Sequence, residues 1–253
     1  MLDLHIHTNF SPDASDSLHD VVEFAENTGM EIIGIADHYD LDLLYKYTTN
    51  FGDPLLYLEE IERLKKSFPV KILKGLELGI QSYTDNNFLN GAFDYFIYSV
   101  HQYPGMEDFS EGIEMWLPYL EEAIGAVKTL KHPGFFGHLD FLRRYIPGNI
   151  PLKPSVLLDE LLLTLVKYDI GLEINTSGLR NDVQEVNPQP WIIKRYVEFS
   201  GKYLTIGSDA HKKDEIGKGF REALEILNTL DIKELFYCDN GNYISINTDK
   251  FTV

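Results

Sequence analysis

Short apolar runs that end on a histidine or a carboxylate recur along this chain, separated by stretches with apolar residues at helical spacing. Leu2-Asp3-Leu4-His5-Ile6-His7 alternates apolar and polar positions. As a strand it puts Leu2, Leu4 and Ile6 on one face and His5 and His7 together on the other, so both imidazoles can serve one cation. Similar endings follow at Ala36-Asp37-His38, Gly75-Leu76-Glu77, Ser99-Val100-His101, Gly137-His138 and Ser208-Asp209-Ala210-His211. The pattern predicts strands over residues 2–7, 31–37, 70–78, 95–101, 135–139, 170–175 and 204–208. Helices are predicted over 18–28, 55–68, 116–130, 156–168 and 191–199, with another beginning at Phe220. Ser17 is placed to cap the first helix and Gly29 to stop it.

Repeated strand-then-helix units predict an α/β fold with a parallel sheet, and seven strands close most economically into a TIM-like barrel. Active sites of such barrels lie at the C-terminal ends of the strands, where the histidines and carboxylates fall. The tail, 234–253, reads as a helix turn and a β-hairpin with Asn240-Gly241 as its turn.

With 253 residues, 44% of them hydrophobic, and no repeat, low-complexity tract or flexible linker, one domain over 1–253 is expected. No apolar run is long enough to span a bilayer, and the N-terminus lacks a signal-type segment. Cys238 is the only cysteine. That excludes an intrachain disulfide and a thiolate-rich zinc site, and points to a cytoplasmic protein whose metals sit on His, Asp and Glu. The formal net charge of −18 argues against nucleic-acid or membrane partners. It does not exclude a small anionic substrate, because bound cations can reverse the local field. Oligomeric state has no sequence signal.

The candidate donors are His5, His7, Asp13, His38, Glu77, His101, His138, Asp209 and His211, a mixture of hard oxygens and borderline nitrogens suited to Zn, Mn or Fe. Asp13 follows Ser11-Pro12, in the loop after the first strand. A lone histidine at a strand end is usually an ordinary hydrogen-bonded residue. Six of the eight histidines at corresponding strand ends are not explained that way. His19 and His132 fall elsewhere and read as structural or surface residues. Glu77 lies in the apolar run Ile72-Leu73-Lys74-Gly75-Leu76-Glu77-Leu78, where a buried carboxylate needs a cation.

Six landmarks in order, Leu4-His5-Ile6-His7-Thr8, Ile35-Ala36-Asp37-His38, Gly75-Leu76-Glu77, Ser99-Val100-His101, Gly137-His138-Leu139-Asp140 and Gly207-Ser208-Asp209-Ala210-His211, resemble the PHP superfamily over nearly the whole length. The resemblance implies a distorted (β/α)7 barrel and a trinuclear site of divalent transition-metal ions. His5, His7, Glu77 and Asp209 would hold the first ion. Glu77, as a bridge, would hold the second with His101 and His138. Asp13, His38 and His211 would hold the third. Residues 173–180 and 207–219 are similar to histidinol-phosphate phosphatases of this superfamily, which implies hydrolysis of L-histidinol phosphate in histidine biosynthesis by a metal-bridging hydroxide. Arginines near the metals would bind the phosphoryl group. Arg180 matches one such position, and Arg143 or Arg144 provides another, because the planar guanidinium can grip phosphate bidentately. No residue is singled out as the general acid.

Three ions of about +6 in total would exceed the roughly −3 of Asp13, Glu77 and Asp209 and make the pocket cationic. Residues 99–105 and the loop to Glu111 depart from the histidinol-phosphatase pattern, so nucleotides or other small phosphate esters and diesters form the second substrate class. A noncatalytic metal-stabilised module is the third reading, and the full donor set argues against it.

Overall fold

The computed structural model describes residues 1–41, 53–87, 89, 91–106, 114–146 and 150–251. Among these residues nine strands run parallel: β1 (Leu2–Ile6), β2 (Ile32–Ile35), β3 (His38–Asp40), β4 (Lys71–Lys74), β5 (Glu77–Gly79), β6 (Phe96–Ser99), β7 (Gly134–Phe136), β8 (Gly171–Asn175) and β9 (Leu204–Gly207). They form a three-stranded sheet, β1-β2-β4, and a six-stranded sheet, β3-β5-β6-β7-β8-β9. The result is a mixed α/β fold with mostly parallel sheets.

The strand predicted over 70–78 is broken in its middle, and the one predicted over 31–37 breaks at its last two residues and resumes beyond them, at a matching place. The chain passes from β2 to β3 through Ala36-Asp37 and from β4 to β5 through Gly75-Leu76. The Tyr57 hydroxyl fills the gap between them. It accepts from the Asp37 N–H at 3.4 Å and donates to the Gly75 carbonyl at 3.3 Å, replacing the missing ladder bond. Pairing resumes with His38 opposite Glu77, so the break hands both chains from one sheet to the other at the point where they deliver side chains inward. At the far edges, His7 N–H donates to Ala210 O at 2.9 Å, forming one parallel bridge between Ile6 and Ala210.

The helices among the described residues are α1 (Leu18–Asn27), α2 (Pro54–Leu64), α3 (Trp116–Val127), α4 (Val156–Lys167), α5 (Pro190–Glu198) and α6 (Phe220–Thr229). In α1 the buried stripe is Leu18, Val21, Val22 and Ala25, the i, i+3, i+4, i+7 pattern of a core-facing helix. Ser17 accepts from the Asp20 N–H as expected, and Gly29, at φ +82°, ends the segment. Asp53 caps α2 and Pro54 opens it, while residues 65–68, expected to be helical, turn back on themselves through Ser67 N–H to Leu64 O. The connection from β5 to β6 has no helix among its described residues. There Thr84 and Asn86 hydrogen-bond to Gln81 and to each other and form local turns instead. Each strand-then-helix unit is therefore present except this one.

The tail forms a hairpin of β10 (Glu234–Asp239) and β11 (Asn242–Asn247), turning at Asn240-Gly241 as predicted. The expected helix turn is the short 3₁₀ segment Thr248–Lys250 that follows it; Val253 lies outside the described residues. No helix among the described residues is long and apolar enough to cross a membrane.

Tyr95 crosses the interior and donates to Leu4 O at 2.6 Å with its ring fully buried. Gly34 gives it room, since a Cβ there would overlap the Tyr95 hydroxyl and lie 3.2 Å from the Leu4 Cα. Gly34→Ala should therefore destabilise the fold by about 1–3 kcal/mol, the usual cost of overpacking. Urea unfolding of the variant measures this, and an unchanged midpoint would mean that Tyr95 can leave its place freely.

Candidate metal centre

The two oxygens of Glu77 are the hub of a cluster at or just past the C-terminal ends of β1, β2, β4, β6, β7 and β9, with His38 and Glu77 opening β3 and β5. Oε2 lies 2.6 Å from His38 Nδ1, 3.4 Å from His5 Nε2 and 3.5 Å from His7 Nε2. Oε1 lies 2.8 Å from His138 Nε2 and 3.2 Å from His101 Nε2. Asp209 Oδ1 adds His7 Nε2 at 3.2 Å, His211 Nδ1 at 3.6 Å and His5 Nε2 at 3.8 Å. Asp13 Oδ2 faces His211 Nε2 at 3.2 Å and His38 Nε2 at 3.5 Å. The nine predicted donors thus form one connected group. Among these nine, three triads have donor atoms mutually within 4.8 Å: His5, His7 and Asp209; His38, Glu77 and His101; and His7, His38 and His211. They share members, so the donors do not divide into separate sets by distance alone.

Behind the cluster, acceptors fix which nitrogen of each ring carries hydrogen. His5 Nδ1 donates to Glu173 Oε1 at 2.7 Å, and His101 Nδ1 to Asp40 Oδ1 at 2.9 Å. Ser11 spends its one proton on Asp37 at 2.6 Å, so its oxygen accepts from His7 Nδ1 at 3.1 Å. His211 Nδ1 donates to the Asp209 carbonyl at 3.1 Å. Each of these four rings then aims Nε2 at carboxylate oxygens, lone pair toward lone pair. His5 Nε2, His7 Nε2, His38 Nδ1 and Glu77 Oε2 are buried, and beyond these mutual contacts they find no hydrogen-bond partner among the described residues. Only added protons or cations reconcile such an arrangement, and it fits divalent metals held by nitrogen and oxygen.

The titration behaviour carries the same sign. Burial works to raise Glu77, but the imidazoles of His38, His5 and His101 hold it well below the usual carboxylate range. Burial works against a proton on His5, yet Glu173, Glu77 and Asp209 outweigh it and hold its pKa well above an ordinary imidazole's. His38 is likewise raised against its burial, by Glu77 and Asp13. His7 goes the other way, held well down by burial and by the neighbouring His211 and His38. Two donors, His138 at φ 24° and Asp209 at φ 54°, have left-handed backbone, a costly conformation for residues with a Cβ.

Residues 3–177 match the profile of the PHP domain. The chain belongs to the PHP domain family. It is 30% identical to a probable histidinol-phosphatase of Clostridium acetobutylicum, over 94% of this chain and 96% of that one. Identity to a probable histidinol-phosphatase of Thermotoga maritima is 29%, over 93% and 94% of the two chains. In structure it is similar to a histidinol phosphate phosphatase from Lactococcus lactis complexed with zinc, L-histidinol and phosphate. The TM-score is 0.83 at 26% identity, over 96% of this chain and 98% of the other.

In this PHP domain six of the donors, Asp13, His38, His101, His138, Asp209 and His211, line a cavity of about 240 Å³ together with Asp40, Phe141, Arg144 and Tyr145, while His5, His7 and Glu77 are buried. The two neighbouring arginines point differently. Arg144 Nη2 donates to Ser177 Oγ at 3.0 Å and lies 4.0 Å from Asp209 Oδ2, on the cavity wall. Arg143 does not reach the cavity: its guanidinium is buried against Asp140 and Glu185, at 3.3 and 2.8 Å. Arg180 is set behind the wall, donating through Nη2 to the carbonyls of Ser208 at 2.8 Å and Asp209 at 3.1 Å. Its Nη1 is buried with no hydrogen-bond partner among the described residues. Of the two histidines set aside, His19 packs on Phe68 and His132 on Phe96, both away from the cluster. The loop to Glu111 lies outside the described residues from 107 onward.

Sequence reasoning assigned no role to four buried carboxylates behind the donors. Asp3 accepts from Ser208 N–H at 2.9 Å and Gly217 N–H at 3.1 Å, and Asp37 from Thr8 and Ser11. Asp40 holds His101. Glu173 holds both His5 and the His138 N–H, the latter at 2.9 Å. A signal was present for each: Asp3 shares a strand face with His5 and His7, Asp40 shares one with His38, and Glu173 is a charge inside the apolar run 170–174.

His101 gives a pH test of the metal-free cluster. Burial alone would lower its pKa, but Asp40 and Glu77 outweigh that and push it up to about 9. The folded state then holds this proton more tightly than the unfolded chain does. The resulting stabilisation is complete below the ordinary imidazole pKa and is lost as pH rises through about 9. Chelator-treated protein should therefore melt at a lower temperature at high pH than near pH 6.5, and His101→Asn should flatten that dependence. Equal slopes for the two proteins would show that His101 carries no such proton.

Proposed function

We propose that this PHP domain protein is a metal-dependent phosphomonoesterase that hydrolyses L-histidinol phosphate to L-histidinol and phosphate. The observation that carries the reading is the convergence of nine nitrogen and oxygen donors into one connected group, six of them lining a cavity that has Arg144 on its wall. Its relatives' names, and the zinc, histidinol and phosphate bound by the Lactococcus lactis enzyme, support the same substrate. We infer further that the two sheets act as one distorted (β/α)7 barrel and the chain as a single domain. The matched breaks in β2–β3 and β4–β5 and the Ile6–Ala210 bridge support this.

Three divalent transition-metal ions, Zn, Mn or Fe, suit the donor set. His5, His7, Glu77 and Asp209 would hold one, Glu77 with His101 and His138 a second, and Asp13, His38 and His211 a third. Bound there, such ions supply an activated water at neutral pH and neutralise phosphoryl oxygens. The chain's own residues provide the rest. Glu173 and Asp40 keep His5 and His101 in the tautomer that presents Nε2. Arg144 faces the cavity and offers the phosphoryl group a charged donor, and Arg180, set behind the wall with Nη1 lacking a hydrogen-bond partner among the described residues, is the second candidate. Phe141 and Tyr145, with ring centroids 6.1 Å apart, give the leaving group an aromatic wall beside His101 and His138.

Phosphate release from histidinol phosphate, run beside nucleoside monophosphates and bis(p-nitrophenyl) phosphate on protein of measured metal content, is the deciding assay. Histidinol phosphate should give the highest kcat/KM; a faster nucleotide or diester would transfer the site to that class. Glu77→Gln should remove nearly all turnover together with bound metal, and wild-type rate and metal content would disprove the bridging role. Glu173→Gln should weaken metal affinity roughly 10–100-fold by releasing His5, as expected for a partner one layer behind the ligands. Metal titration of the variant reads this directly.

A further inference from the structure

Arg143 was expected to be a candidate phosphate ligand, and its burial beneath the cavity gives it a different part. Its side chain is 3% exposed and divides between two elements. One terminal nitrogen lies 3.3 Å from Asp140 Oδ2, within the turn after β7, and the other 2.8 Å from Glu185 Oε2, in the loop after β8. The same carboxylates tie that loop down again: Asp140 Oδ2 accepts from the Gln189 N–H at 3.0 Å, and Glu185 Oε2 from Gln189 Nε2 at 3.3 Å. Arg143 thus closes a seam between two loops that carry site residues, His138 and Arg144 on one side and Ser177 and Arg180 on the other.

Arg144 reaches across that seam. Its Nη2 donates to Ser177 Oγ, which in turn donates to Asn175 Oδ1 at 2.6 Å, and Asn175 Nδ2 donates to Glu173 at 3.1 Å. Arg143 and Arg144 are consecutive in the 3₁₀ turn Phe141–Arg144. Successive side chains there point about 120° apart, so pinning one sets the direction of the next. We propose that Arg143 is a positioning residue whose two-loop clamp aims Arg144 at the phosphoryl site. This rests on the assignment of Arg144 to phosphate given above. A buried ion pair that served only stability would gain nothing from spanning two loops, since apolar residues of similar volume hold such contacts as well.

The test is a double-mutant cycle on metal-loaded, full-length protein: wild type, Arg143→Met, Arg144→Ala and the double variant. Calorimetric binding of inorganic phosphate is read beside KM and kcat for histidinol phosphate. Arg143→Met should weaken phosphate binding and raise KM about tenfold, the scale of one charge-assisted hydrogen bond, with metal content intact and kcat changed less. Because Arg143 acts through Arg144, the double variant should bind phosphate no more weakly than Arg144→Ala alone. Arg143→Lys should not restore binding, because a single ammonium lacks the fork that spans both carboxylates. A lowered melting temperature with wild-type phosphate affinity, or additive losses in the double variant, would overturn the clamp. If Arg143→Met fails to fold, Glu185→Ala releases only the partly exposed arm and should shift phosphate affinity and KM in the same direction; no shift would count equally against it. A wild-type protein that binds phosphate but does not hydrolyse histidinol phosphate would end the substrate reading and leave the cycle readable.

Discussion

A carboxylate buried among imidazoles is the constraint from which the rest of this architecture follows. Glu77 is fully buried, and five histidine rings bring nitrogens to within 3.5 Å of its oxygens. Charge in that position is tolerated only with opposite charge beside it. Without metal, protons on His5, His38 and His101 fill that need, while His7, crowded by His211 and His38, is driven neutral. The cluster is therefore already organised around positive charge at its centre. A divalent ion entering it displaces protons and inherits their neighbours, so metal affinity and protonation are two forms of one electrostatic requirement.

Meeting that requirement shapes the sheet. A continuous parallel strand would keep its backbone groups in the ladder and present side chains at fixed alternation. Here two adjacent strands break together, and Tyr57, projecting from α2, satisfies the backbone groups freed by the break. Beyond it His38 and Glu77 pair in register and turn into the cluster. A second layer of carboxylates, Asp37, Asp40 and Glu173, then holds turns and rings from behind. Because Glu173 contacts both His5 and the backbone of His138, it links the first strand's donors to those that follow β7. Restraint of this kind limits the adjustment left to the ligands and sets the geometry available to a metal.

How much of this could be read in the chain depends on how local each cause is. The donors were legible because alternation at residues 2–7 puts two imidazoles on one strand face, and because the same ending recurs at later strand ends. Glu77 was legible as a charge in an apolar run. Glu173 fitted the same criterion, but its partner is 168 positions away, and nothing near it in sequence reveals that it faces His5. The strand breaks were hidden for the same reason: the group that stabilises them, a tyrosine hydroxyl on a helix, is 20 residues from Asp37 and 18 from Gly75. Arg143 and Arg144 look equivalent in sequence, and only the partners on the next loop separate them. Local pattern fixes which residues have the chemistry; long-range partners decide which way each one points.

The acidic composition illustrates the same division between global and local causes. A net charge of −18 would repel a phosphate ester if it acted uniformly. Near the cavity, though, the carboxylates point at histidines, and their charge is spent on neighbours within hydrogen-bond distance. Arg144 stands on the wall, where its partners among the described residues are a distant carboxylate, at 4.0 Å, and a neutral serine. At such separations the nearest groups dominate the field, since charges farther off are screened by solvent over roughly 8–10 Å. An acidic surface and an anion-binding pocket are therefore compatible in one small protein, provided the pocket's own carboxylates are turned toward cations.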